Sequence, residues 1–168
     1  PVDSKSRIKL DALKEALCPE TILVSIMYVN NEVGTVQPVQ EAARLVKQYK
    51  PSILFHTDAV QGYGKYRIWP KRMGIDLLTA SGHKIHGPKG IGFLYIDSKV
   101  KIRPIVFGGE QQKNIRSGTE NVPGIAGLGL ASKMIYQDLE MKTALMRELK
   151  ARFIEGISKI ENTTIHGF

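Results

Sequence analysis

The residue types best suited to chemistry crowd into one short stretch, SGHKIHGPKGIG (residues 81–92), where Ser81, Gly82, His83 and Lys84 are consecutive. A lysine amine becomes a nucleophile or base when it is desolvated or set beside other cations, and His83 and Lys89 are such neighbours. A serine hydroxyl, a glycine N–H and an imidazole can together seat a phosphate. A phosphorylated aldehyde held there would condense with the lysine. Pyridoxal 5'-phosphate (PLP) is such a compound, and its protein partners are a lysine and an acid facing the pyridinium nitrogen. Asp58, ending the apolar run before that of residues 75–80, is the candidate acid. A carboxylate against the ring nitrogen keeps it protonated by the opposite-charge effect. Lys84 and His83 are the candidate catalytic side chains.

These residues need a scaffold, and the apolar patterning predicts one. Residues 10–17 (LDALKEAL) and 40–49 carry helical spacing, and Cys18-Pro19 stops the first of them. Residues 21–29 (TILVSIMYV) are almost all apolar, the pattern of a strand covered on both faces. Further strands are expected at 53–56, 76–80 and 91–96, with a glycine-rich polar loop at 108–119 and a helical pattern from 123 to 160. Alternating strands and helices predict an α/β fold: a three-layer α/β/α arrangement with a mostly parallel sheet. Ligands of such sheets bind beyond the carboxyl ends of the strands. There the sequence places Asn30, Asn31 and Glu32, then Asp58 and Gln61, then Ser81, His83 and Lys84.

Simpler readings compete at each position. A lysine in a glycine-rich loop is ordinarily solvated, and an aspartate at a strand end commonly caps a helix or turn. His56 and His86 read as structural or surface residues. His56, Asp58, His83 and His86 include metal-ligand types, but a metal leaves Lys84, Gln61 and Asn31 without a role; none is expected. Residues 124–130 (GIAGLGL) mimic a dinucleotide loop but follow no strand, so a close-packed helix start is expected.

Composition bounds the rest. The chain has 168 residues, 42% hydrophobic, with a net charge of +8 from 24 Lys and Arg against 16 Asp and Glu. The basic residues are scattered, with no aromatic-interleaved basic block, which argues against direct nucleic-acid binding. No apolar run approaches the ~20 residues of a membrane span. One cysteine, Cys18, excludes an internal disulfide and suits a reducing, cytoplasmic setting. Against Pro19 it reads as a small buried or half-buried residue. The opening PVDSKSRIKL and the ending TTIHGF read as the interior of a longer protein.

Four motifs then form a recognisable set: VSIMYVNNEVGTVQP (24–38), FHTDAVQGYGK (55–65), SGHKIHGPKGIGFLYI (81–96) and FGGEQQKNIRSGTENVPGIAGLG (107–129). In order and spacing they resemble the NifS/IscS-type cysteine desulfurases, in the class V aminotransferase branch of fold-type-I PLP enzymes. The resemblance implies Lys84 as the Schiff-base lysine, Asp58 at the ring nitrogen and Gln61 at the phenolic oxygen. It implies Ser81 and His83 at the phosphate, and Asn31 near the phenolic oxygen and the substrate. Thr119 would reach the phosphate of the other subunit's PLP in a homodimer. The implied reaction converts L-cysteine to L-alanine and passes sulfur to an enzyme cysteine as persulfide, then to an acceptor or scaffold protein for iron–sulfur assembly. The implied domains are 1–150, a PLP-binding large domain, and 151–168, the start of a small C-terminal domain. The resemblance puts the persulfide cysteine outside residues 1–168, so the isolated chain is expected to be inactive. A class V aminotransferase, a selenocysteine lyase and a non-catalytic dimerisation piece remain as alternatives.

Overall fold

The computed structural model describes residues 1–167. Its elements run α1 (Leu10–Ala16), β1 (Leu23–Met27), α2 (Val39–Tyr49), β2 (Leu54–Asp58), α3 (Pro70–Met73) and β3 (Leu77–Ser81). A 3-10 turn (Gly82–Ile85), β4 (Gly92–Ile96), α4 (Val122–Gln137) and α5 (Leu139–Ile157) follow. The sheet order is β1-β2-β3-β4, with β1, β2 and β3 mutually parallel and β4 antiparallel to β3. The mixed α/β class and the mostly parallel sheet are as the alternation predicts.

One sheet face carries the core. Phe55 and Thr57 of β2 and Leu78 and Ala80 of β3 are buried, while Leu54, His56, Asp58, Leu77, Thr79 and Ser81 between them are half-buried. That alternation follows from side chains pointing to opposite faces along a strand. Val39, Ala42, Ala43 and Val46 form the buried stripe of α2 at helical spacing. They share one core with Ile53, Phe55, Ala59, Ile75 and Leu78. Burying a side chain the size of Phe55 contributes roughly 1.5–3 kcal/mol.

A polar tie fixes the amino ends of the strands. Asp76 Oδ2 accepts from Lys47 Nζ at 2.5 Å and from the Phe55 N–H at 2.6 Å, and Lys47 Nζ also reaches Ile53 O at 2.7 Å. This anchors α2 to β2 at the end away from Asp58 and Ser81.

Two expectations need correction, and one short helix was not expected. β1 is shorter than residues 21–29 and is not covered on both faces: Leu23 and Ser25 are exposed. It stands at the sheet edge among the described residues, where an apolar run can be partly uncovered. The helical stretch after residue 122 is two helices, broken at Asp138, which has non-helical backbone angles. The four-residue α3 has too few residues for a periodic signal. It starts at Pro70 and stops at Gly74, whose φ of 72° is the left-handed conformation that glycine tolerates.

Candidate active site

The carboxyl ends of β1, β2 and β3 lie side by side because Met27 pairs with Asp58 and Asp58 with Thr79. Asp58 is the last residue of β2 and Ser81 the last of β3. Gln61 follows Asp58 in a tight turn closed by Gly62 and Tyr63 N–H groups on Ala59 O. His83 and Lys84 sit in the 3-10 turn directly after Ser81, and both are exposed. Parallel register therefore gathers an acid, an amide, a hydroxyl, an imidazole and an amine around one sheet edge.

Their local bonds limit what each can do. Asp58 Oδ1 accepts the Val60 N–H at 2.9 Å. Among the described residues its other oxygen accepts no protein hydrogen bond, so it keeps acceptor capacity. Ser81 Oγ lies 2.7 Å from His83 Nδ1, which pairs the two proposed phosphate ligands. Asn31, exposed after β1, donates from Nδ2 to Glu32 Oε1 at 2.7 Å. Its neighbour Asn30 is structural: Oδ1 accepts the N–H groups of Glu32 and Val33.

Gly82 does not serve as a phosphate donor. Its N–H is committed to Ile91 O at 2.9 Å, and the residue is buried. A Cβ there would stand 2.9 Å from Ile91 Cγ2 and 3.0 Å from Pro88 O, so packing is what requires glycine. The donor set that remains still fits PLP: a hydroxyl and an imidazole for the phosphate, an exposed amine beside them, and a carboxylate on the adjacent strand.

Asp58, Gln61, Ser81, His83 and Lys84 stand at or shortly after the adjacent ends of β2 and β3, and Asn31 lies beyond the end of β1. Thr119 is exposed in the loop after β4, and no hydrogen bond among the described residues ties it to the strand ends. Cys18 is exposed rather than buried. It follows α1 rather than packing beneath it, and Thr21 Oγ1 accepts its N–H at 3.1 Å. It precedes β1, whereas Asn31 follows it, so the two flank opposite ends of that strand.

Three polar residues on the same sheet face escaped notice or were set aside. His56 Nδ1 lies 2.7 Å from Ser25 Oγ and His56 Nε2 lies 3.3 Å from Thr79 Oγ1. Burial lowers the His56 pKa, with Asp58 pulling weakly the other way. The available signal was the spacing of two that puts His56 on the face of Asp58. Lys65 was also passed over. Burial first, and then the charge of Lys84, lower its pKa. Gln61 and Lys65 line a cleft walled by Thr143, Met146 and Arg147 of α5.

Two competing readings meet the geometry. Among the described residues no group of three or more His, Cys, Asp or Glu side chains is arranged to hold a metal. Gly124 and Gly127 lie inside α4, and a Cβ on Gly127 would stand 2.6 Å from Pro88 Cγ. Gly127 thus lets α4 approach the 81–92 loop, whereas a Cβ on Gly124 would meet the side chain of Asn121, which caps α4. Among the described residues no helix is long and apolar enough to cross a membrane.

Comparison with known proteins gives a consistent picture. The family model described as Aminotransferase class-V matches residues 1–168. The cysteine desulfurase IscS of Methanosarcina thermophila is 46% identical over 167 residues, covering 99% of this chain and 41% of that protein. The putative cysteine desulfurase IscS 1 of Bacillus subtilis is 50% identical over 156 residues, covering 93% of this chain and 41% of that one. Among solved structures, a NifS-like protein superposes with a TM-score of 0.94 at 41% identity, over 99% of this chain and 46% of that chain. The chain thus spans about two fifths of the length of these curated relatives.

Proposed function

Because this chain belongs to the class-V aminotransferase family, we propose that it is the cofactor-binding part of a PLP-dependent cysteine desulfurase. The protein would convert L-cysteine to L-alanine and deliver the sulfur to an enzyme cysteine and then to an acceptor protein. The observation that carries this reading is the adjacency, at neighbouring strand ends, of Asp58, Ser81, His83 and Lys84. The similarity to proteins named cysteine desulfurase supports the choice of substrate.

When bound, PLP supplies an electron sink for chemistry at the substrate's α-carbon. Each side chain then has a physical task. Lys84 would hold the cofactor by its amine and serve as the general base that moves a proton at the α-carbon. Asp58 would hold the proton on the pyridine nitrogen through its negative charge. Gln61 would donate its amide N–H to the phenolic oxygen, with Asn31 between that oxygen and the incoming amino acid. Ser81 and His83 would bind the phosphate, and His83, beside Lys84, adds positive charge there when protonated. Thr119 would complete the phosphate site of a second copy, making the working unit a homodimer.

Within the whole protein, residues 1–150 would form the large domain and 151–168 would lead into a small C-terminal domain, with the division inside α5. Iron–sulfur assembly and a cytoplasmic setting belong to this same reading.

The test is covalent. Borohydride treatment of the full-length, PLP-loaded protein should fix the cofactor to the peptide containing Lys84. In Lys84→Ala the label and cysteine turnover should vanish while the protein stays folded. Undiminished labelling of the variant would mean that another lysine holds the cofactor.

A further inference from the structure

Asp58 is the only charged residue on the four strands. Directly below it on the same face of β2 lies His56, and the imidazole is strung across three strands. Ser25 is the register partner of His56 on β1, and their hydrogen bond is level. On β3 the register partner of His56 is Leu77, yet the ring bonds to Thr79, one same-face step higher. Thr79 is itself the register partner of Asp58. The imidazole therefore slopes from the middle of β1 toward the level of the carboxylate.

We infer that His56 is a positioning residue for Asp58: a neutral imidazole that ties the middles of the three strands together beneath the carboxylate and leaves its charge for a ligand. This rests on the reading of Asp58 as the partner of the cofactor's ring nitrogen. Both hydroxyl partners can donate or accept, so the neutral ring satisfies both nitrogens in either tautomer. A leucine would match its neighbours Leu54 and Leu77 in character but would leave two hydroxyls without their partner.

Neutrality matters as much as position. A protonated imidazole two residues from Asp58 would compete with the ligand for the carboxylate's charge. The groups facing His56 on β1 (Leu23, Ser25, Met27) and β3 (Leu77, Thr79, Ser81) carry no charge, so Asp58 alone favours the cation. Burial opposes it and is the larger effect.

The test uses the full-length protein as wild type, His56→Leu, His56→Gln and Asp58→Asn. The readouts are the dissociation constant for PLP, the ¹⁵N shift of labelled PLP's pyridine nitrogen, and the imidazole ¹⁵N pattern of the apoprotein. His56 should be neutral at pH 7 in the apoprotein. His56→Leu should weaken PLP binding about tenfold, the scale of losing hydrogen bonds around a half-buried group. It should also move the pyridine signal toward the unprotonated value, and His56→Gln should recover much of both. If His56→Leu fails to fold, Ser25→Ala and Thr79→Val each remove one bond and are read the same way.

A wild-type pyridine signal and affinity in His56→Leu, with a shifted signal in Asp58→Asn, overturns the role of His56 and leaves that of Asp58. An unshifted signal in both overturns the two together. A charged His56 at pH 7 overturns the inference regardless of the cofactor measurements.

Discussion

Ser81 Oγ and His83 Nδ1 stand 2.7 Å apart across the start of the 3-10 turn. A phosphate entering here meets an oriented pair rather than two mobile side chains. Ser81→Ala removes one donor and frees the imidazole. Hydrogen bonds to charged groups contribute about 1.5–3 kcal/mol, so PLP affinity should fall by roughly 10- to 100-fold in titrations of the full-length apoprotein. Undiminished affinity would place the phosphate elsewhere.

Asp58→Asn keeps the shape and the bond from the Val60 N–H but removes the charge. PLP should still bind at full stoichiometry, while kcat falls by about 100- to 1,000-fold, the scale of losing one preorganised electrostatic contact. Near-normal turnover would reduce Asp58 to a turn residue.

Two glycines should respond with opposite sign. Gly64 has φ +78°, and a Cβ there would lie 2.7 Å from Ile85 Cγ2 and 3.2 Å from Ile135 Cγ1. Gly64→Ala combines left-handed strain with overpacking between the Gln61 turn, the 3-10 turn and α4. It should cost roughly 2–3 kcal/mol. Gly129, inside α4, has nothing within 4 Å of its added Cβ. Gly129→Ala should stabilise by about 0.5–1 kcal/mol. Urea midpoints read both, and equal shifts of one sign would contradict the packing described.

His56 also sets a pH dependence. Its folded pKa lies below the ordinary 6.5, so below that value the unfolded chain binds the proton more readily. By linkage, the stability it contributes is fully present above pH 6.5 and is lost as pH falls through the window beneath. Asp3 and Asp97, whose pKa values are lowered from 3.8 mainly by backbone N–H groups, lose their contributions at more acid pH. Urea unfolding at pH 7.5 and 5.5 should therefore show a drop in wild type that is smaller in His56→Gln. An identical drop in both would show that the ring is not desolvated.

The sequence by itself determined what depends on neighbours along the chain. The stripe of α2 and the apolar runs of β2 and β3 are local patterns, and they put Asp58 and Ser81 at strand ends. The motif spacing likewise pointed to Lys84, Gln61 and Asn31. Only the tertiary structure decided pairings between distant positions. That Gly82 spends its N–H on Ile91 O, that Cys18 is exposed, and that His56 bonds to Thr79 rather than facing only its register partner Leu77 all depend on how strands and loops meet. A strand pattern states which face a residue occupies. Which hydroxyl reaches across to it is set by register and strand order, and neither is written in either strand alone.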